Sequence, residues 1–435
     1  MTAAPPPAGS SPGLVRAIGR WDLTAAVLNA VIGSSIFGYP AIQASLTGAW
    51  SPVVYVVAGL GILTIVLCFA EVASRFQDAG GPYLYVREAF GPFLGFQAGW
   101  LTFWIRATAA AANLNLLVDY LAQVLPVVGT GSGRLMTMSA VIGLVTFVNV
   151  VGVRPATWTV DVFTLAKLLP LVFLIALGLP AVRSEVLATQ AVAHPQWTEA
   201  ILLLMFAYGG FESPLIPAAE AVNPRRDTAR ALLLALALVA TLYTLIQLVA
   251  VGVVPHVASS RAPLADAFGL LLGPAAAGMA SLAASISIWG YMTGTVLQSP
   301  RVVFAMAERR ELPAPLARIH SRFRTPALAI LAYSALSLAL AAYGSFASNA
   351  TLSAIVRLVT YGLTCASLLV FRTRRPSERP GFALPGAWPI ASLAVLFCLW
   401  LLTTRTLEQA WILASLVAGG ALLWWSASRR TMCPG

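Results

Sequence analysis

Apolar runs of about twenty residues recur from one end of this chain to the other, and each is long enough to cross the hydrocarbon of a bilayer as a helix. Backbone at that depth finds no water, so such runs must satisfy their own N–H and C=O groups as helices. Twelve are counted, at about 23–46, 52–74, 91–124, 135–153, 157–180, 197–219, 229–254, 274–306, 326–343, 350–371, 387–404 and 408–427. With 59% hydrophobic and only 10% charged residues, an ordinary soluble protein is excluded. The expected fold is an all-α membrane protein of twelve transmembrane helices. Residues 1–20 and 428–435 read as tails and 21–427 as the membrane domain. No cleavable signal pattern opens the chain, so the first span is expected to be retained.

The net charge of +11 is explained by topology rather than by nucleic acid. Under this arrangement twenty arginines fall in loops on one side, and only Arg134, Arg183, Arg261 and Arg405 on the other. The positive-inside rule then places both termini in the cytoplasm, across the cytoplasmic membrane. Cys68, Cys365 and Cys398 lie in spans, and the three histidines sit in loops without metal-ligand spacing. No nucleophile elbow, phosphate-cradling loop or zinc signature appears, so neither catalysis nor a cofactor or metal is expected.

Two spans are interrupted. The first reads NAVIGSSIFGYPA, with Gly33, Ser34, Ser35 and Gly38 near its middle; the sixth reads LLLMFAYGGFESPLIPA, with Gly209, Gly210 and Pro214. Such clusters weaken a helix, and irregular backbone at membrane depth must line protein or water. The interruptions hold corresponding positions in two five-span halves, which run in opposite senses because five is odd. That is the pattern of an inverted-repeat transporter with its site at the paired breaks. Close packing of helices at small residues is the competing reading. A broken helix exposes N–H groups that favour a carboxylate and carbonyls that favour an ammonium. An α-amino acid presents both groups.

The single lysine, Lys167, interrupts VDVFTLAKLLPLVFLIALGL in span 5. An ammonium there must find oxygen partners or give up its proton, so it reads either as a transport residue or as a tie between helices. Arg106 and Asp119 in span 3, Asp161 in span 5 and Arg357 in span 10 are likewise costly in lipid, and are expected to face protein and pair with opposite charges. Asn113 and Asn115 reach either the substrate or a neighbouring helix, and Trp289 lines the pocket or packs.

These stretches, with FAEVASRFQDAGGPYLYVREAFG after span 2, FAYGGFESPLIPAAEAVNPRRDTARA around span 6 and SPRVVFAMAERRELPAPLARIHSRFRTPA after span 8, resemble the amino acid–polyamine–organocation superfamily of amino acid permeases. The resemblance covers most of the chain. It implies the leucine-transporter fold: a 5+5 inverted repeat, about 21–182 and 195–372, followed by two peripheral helices at about 386–427. It assigns the substrate carboxylate to backbone around Ser34, Ser35 and Ile36. The amine goes to carbonyls near Val31 and Ile32 and near Phe206 and Tyr208, with Gly33 and Gly209 at the breaks. Phe206 matches the aromatic that caps the substrate, and Glu212 an acid that couples or lines the pocket. Lys167 matches a lysine that stands where sodium-driven relatives hold Na⁺, bridging carbonyls near Gly33 to span 8 at Ser285. Ser35 departs from the usual second glycine of Gly-Ser/Ala-Gly, which adds a hydroxyl or narrows the pocket.

The expected activity is amino acid transport by alternating access, proton-coupled and sodium-independent. Obligate exchange and a non-transporting membrane sensor are the alternatives. The implied partners are an amino acid, protons and membrane lipid. With no set of acids to select a cationic side chain and no arginine pair assigned to the pocket, the reading leans to neutral or small apolar substrates.

Overall fold

The computed structural model describes residues 20–76, 80–152, 157–215, 224–375 and 380–432, and those residues are helical and free of strands. The first apolar run is two helices, α1 (Arg20–Val31) and α2 (Ser35–Thr47), parted by Ile32, Gly33 and Ser34. Next come α3 (Ser51–Arg75), the short α4 (Gly81–Phe90) and α5 (Pro92–Val124). They are followed by α6 (Gly131–Val151), α7 (Thr157–Gly178) and α8 (Ser184–Thr189). The sixth run begins as α9 (Trp197–Ala207). Beyond it lie α10 (Pro224–Val253), α11 (Pro263–Leu272), α12 (Pro274–Glu308) and α13 (Ala327–Tyr343). The chain closes with α14 (Phe346–Arg374), α15 (Ala387–Thr403) and α16 (Leu407–Met432). Among the described residues, seven helical stretches are long and apolar enough to cross a membrane, and five shorter apolar helices of 10–17 residues accompany them.

α5 is the spine. Its Ala107 and Ala109–Ala112 are buried, and α12, α13 and α14 pack along it. Lipid tails offer no hydrophobic drive to associate, so close contact needs small residues where backbones meet. α16 is the opposite case. Only 6% of its apolar window is buried, and Trp411, Leu422 and Trp425 point away from the protein. α15 buries Ala387, Ala391, Ala394, Cys398 and Leu401 and leaves Leu396 and Leu399 outside.

The sixth run, at 197–219, is interrupted near Gly209 and Gly210. α9 stops at Ala207, a turn and a short 3-10 segment (Ser213–Leu215) follow, and residues 216–223 fall outside the described ones. The physical reason is Gly210, whose φ of +107° is open to glycine and strained for other residues.

Two polar clusters lock helix ends together away from the breaks. Glu71, wholly buried at the end of α3, accepts from Arg372 Nε and Nη2 (2.8 and 2.6 Å), Arg75 Nη2 (2.7 Å) and Leu384 N (2.9 Å). One carboxylate thus ties the ends of α3 and α14 to the segment before α15. Between α4 and the end of α12, Arg87 Nη1 and Arg309 Nη1 donate to Tyr83 Oη (2.6 and 2.7 Å), which donates to Glu311 Oε1 (3.1 Å). Burial, then the Glu311 carboxylate, pushes the Tyr83 phenol above its ordinary range, so it stays a donor at cellular pH.

Candidate functional site

The two interruptions meet. A Cβ added to Gly210 would stand 2.4 Å from the Ala30 carbonyl oxygen and 3.6 Å from Val31 Cα, so the end of α1 lies directly on the turn after α9. Glycine is required here twice over, by the close approach and by the positive φ. Gly33 faces α12, where the Tyr291 ring would lie 3.5 Å from an added Cβ.

An α-helix that ends inside a protein leaves its last carbonyls without N–H partners. At α1 these are met individually. Lys167 Nζ donates to Asn29 O (2.9 Å) and Ile32 O (2.7 Å). Val31 O accepts from Gly33 N (2.8 Å) and from the Tyr243 hydroxyl (3.1 Å). The Lys167 charge sits at the negative end of the α1 dipole, the favourable place for a cation. The partners differ from the expected bridge to span 8. Ser285 Oγ donates to Ser281 O (2.8 Å) within α12, because a serine in a helix reaches the carbonyl one turn back most easily.

The start of α2 presents the complementary chemistry. Among the described residues, the N–H groups of Ser34, Ser35 and Ile36 have no acceptor, and the buried Ser34 Oγ has no partner. Ser35 Oγ lies 3.3 Å from Tyr243 Oη. Since that phenol spends its one proton on Val31 O, Ser35 is the donor to it. Tyr243 therefore spans the break, holding the last carbonyl of α1 and the first residue of α2.

The turn after α9 is built around Glu212, also buried. Its Oε2 accepts from Gly210 N (2.9 Å) and the Tyr361 hydroxyl (2.7 Å), and its Oε1 lies 3.8 Å from Arg357 Nη1. Arg357 itself occupies the space above Gly209, where a Cβ would fall 1.2 Å from Nη1. Arg106 Nη2 donates to Ser213 Oγ (3.0 Å). Phe206 packs between Tyr39 and Phe346, ring centres 5.8 and 6.5 Å away.

Most of the residues singled out in the sequence thus lie at or beside the breaks, with some changes of role. Of the four carbonyls proposed for the amine, those of Val31, Ile32 and Phe206 already accept a hydrogen bond, from Tyr243 and Gly33, from Lys167 and from Gly209 N respectively. Tyr208 sends its hydroxyl to Tyr55 O (2.9 Å) on α3. Asn113 Nδ2 turns back to Ala109 O (2.7 Å), leaving a buried, unpartnered Oδ1. Trp289 is half-buried in α12, and no hydrogen bond or ring contact joins its indole to the breaks among the described residues. Asp119 pairs with Arg134 (2.6 Å) and Arg357 with Glu212, as expected of unlike charges, whereas Arg106 has no carboxylate partner among the described residues. The side chain of Asp161 lies outside the described ones.

Tyr243 and Tyr291 were missed. The available signal was the single aromatic ring in the apolar run LVATLYTLIQLVAVG for the first, and SIWGYMTG on the helix facing Gly33 for the second.

The chain is similar to known permeases. A family model described as amino acid permease matches residues 18–418. The serine/threonine exchanger SteT of Bacillus subtilis is 27% identical over 86% of this chain and 87% of its own length. The branched-chain amino acid permease BcaP of the same organism is 25% identical over 93% and 92%. A methylthioribose transporter, again from B. subtilis, is 25% identical over 90% and 88%. These are permeases, not enzymes, and with the apolar helices they identify a multi-pass membrane protein. The chain belongs to the amino acid permease family.

Proposed function

We propose that this protein is a secondary active transporter that carries an amino acid across the cytoplasmic membrane by alternating access, coupled to protons and independent of sodium. The architecture proposed is twelve spans, the first ten as two inverted five-span halves, with both termini cytoplasmic. The observation that carries the reading is the Lys167 ammonium on Asn29 O and Ile32 O, at the end of a helix broken at membrane depth. A fixed charge on those carbonyls repels Na⁺. A proton leaving Nζ removes that charge and weakens the grip on the end of α1, which links protonation to the shape of the break. The substrate carboxylate goes to the free N–H groups of Ser34, Ser35 and Ile36 and the Ser34 hydroxyl. The amine goes to the remaining lone pairs of the Ile32, Phe206 and Tyr208 carbonyls, since both lone pairs of Val31 O are taken by Tyr243 and Gly33 N. Phe206 covers the bound molecule, Asn113 and Trp289 line its pocket, and Glu212 supports coupling.

Obligate exchange is the second reading, favoured by the relative named as a serine/threonine exchanger. Purified protein in liposomes separates the two. Accumulation driven by an inward proton gradient, unchanged when choline replaces Na⁺ and lost in Lys167→Ala, supports the first. Uptake indifferent to the gradient and dependent on trapped internal amino acid supports exchange and leaves Lys167 a structural tie. Absence of saturable uptake of any amino acid would sink both.

A further inference from the structure

Four charged side chains are buried around the breaks among the described residues, and three are cations: Lys167, Arg106 and Arg357 against Glu212. Lys167 is provided for by two carbonyls and the α1 dipole. Glu212 is provided for by the Gly210 N–H and the Tyr361 hydroxyl. The two arginines have that one carboxylate between them and are less well provided for. Arg357, 4% exposed, meets one hydrogen-bond acceptor, Tyr361 Oη at 3.4 Å, and stands 3.8 Å from Glu212 Oε1. Arg106, 7% exposed, meets one, Ser213 Oγ. The Nε of each is buried without a partner. A guanidinium carries five N–H donors in a rigid fork made for an oxyanion, and burying it without one is costly.

The two arginines are carried on packed helices. Ser353 Oγ donates to Ile105 O (2.9 Å), which joins α14 to α5 one turn from Arg357 and one residue from Arg106. Both reach the turn after α9, Arg357 over Gly209 and Arg106 at Ser213. The free N–H groups at the start of α2 form a separate place for an anion, on the other break. An ordinary zwitterionic amino acid fills that place and leaves the arginine pair short of negative charge.

We propose that the transported amino acid has an acidic side chain, whose carboxylate is held by Arg106 and Arg357 as specificity-determining residues. The inference deepens the transport reading above and rests on it. Such a substrate brings two carboxylates and one ammonium, and its net charge of minus one offsets part of the excess of three cations over one carboxylate. It replaces the expectation of a neutral substrate, which had no arginine pair to work with. The relatives are named for hydroxylated and branched-chain amino acids and a thiosugar, so they do not decide the class.

The test is competitive uptake of radiolabelled glutamate, aspartate, serine and leucine by the full chain in liposomes. Wild type is expected to favour an acidic amino acid over serine and leucine at least tenfold. Arg357→Lys, which keeps the charge and loses the fork, and Arg106→Gln should each lower the acidic-to-serine ratio tenfold or more. Serine or leucine uptake equal to or above the acidic substrates overturns this inference and leaves amino acid transport standing. An unchanged ratio in both folded variants overturns it as well. No uptake of any of the four by protein that is monodisperse and melts cooperatively overturns this inference, and only the same result across all amino acids overturns the transport reading too. If a variant does not fold, the wild-type preference decides.

Discussion

Replacing Lys167 by methionine keeps most of the bulk of the side chain, one atom shorter, and removes its donors. In the folded protein two carbonyls, Asn29 O and Ile32 O, then lose the ammonium that meets them at 2.9 and 2.7 Å. A buried acceptor left unsatisfied costs about 1–3 kcal/mol, so the pair amounts to about 2–6 kcal/mol. The loss of the cation at the C-terminal end of α1 adds up to about 2 kcal/mol in a buried setting. Against this stands recovery of the desolvation cost of the ammonium, several kcal/mol for a buried ion, and the two sums are close enough that the sign of the stability change tests the argument. Two satisfied bonds, a dipole and a fitted site favour net destabilisation, with a melting temperature several degrees below wild type in detergent. Lys167→Arg supplies the complementary measurement. Arginine keeps the donors and holds its proton at any cellular pH, so it should restore much of the melting temperature without restoring proton-driven accumulation. A methionine variant that melts with wild type and still accumulates substrate on a proton gradient would refute the assignment of Lys167 to both the helix end and the coupling.

Glu71→Gln removes a buried carboxylate from two arginines, and breaking such a cluster typically costs about 3–5 kcal/mol; a lowered midpoint of thermal unfolding checks it, and an unchanged one shows that the cluster is solvated. Gly210→Ala forces a Cβ to 2.4 Å from Ala30 O at a φ of +107°, so uptake should fall to background while the apolar helices still insert; full activity would mean that the two breaks are further apart than described. Tyr243→Phe keeps the ring and loses the bonds to Val31 O and Ser35 Oγ, about 0.5–1.5 kcal/mol each. It should weaken substrate affinity more than it lowers the melting temperature, seen as a raised KM; an unaltered KM removes Tyr243 from the site. Trp411→Ala on the outer face of α16 should shift stability by less than about 0.5 kcal/mol, since surface positions are tolerant; a large loss would reveal a packing partner for that face.

What the sequence discloses here is what is local. Runs of apolar residues give helices where lipid allows nothing else, and clusters such as Gly33–Ser35 and Gly209–Gly210 mark where those helices stop. Lys167 stood out because a lone charge in an apolar run is costly wherever it points. The partners of these groups were not legible, because they come from far along the chain: Tyr243 lies 212 residues from Val31, and Tyr361 lies 149 from Glu212. Composition cannot say which rotamer a serine adopts, which is why Ser285 was assigned to Lys167 and is found bonded to its own helix. Arg357 was recognised as expensive, but its seat over Gly209 depends on a glycine in another span and on the turn that brings α9 against α14.

Tyr243 grips both sides of the first break from α10, so the two half-helices are fastened to one external strut. The gap between them therefore has a set width only while that phenol is seated. α1 and α2 can pivot together with α10 as a block, but they cannot change their mutual angle far without unhooking it. A hinge at Gly33 then has a catch, and releasing a single hydroxyl is what distinguishes rigid rocking of the block from flexing within span 1.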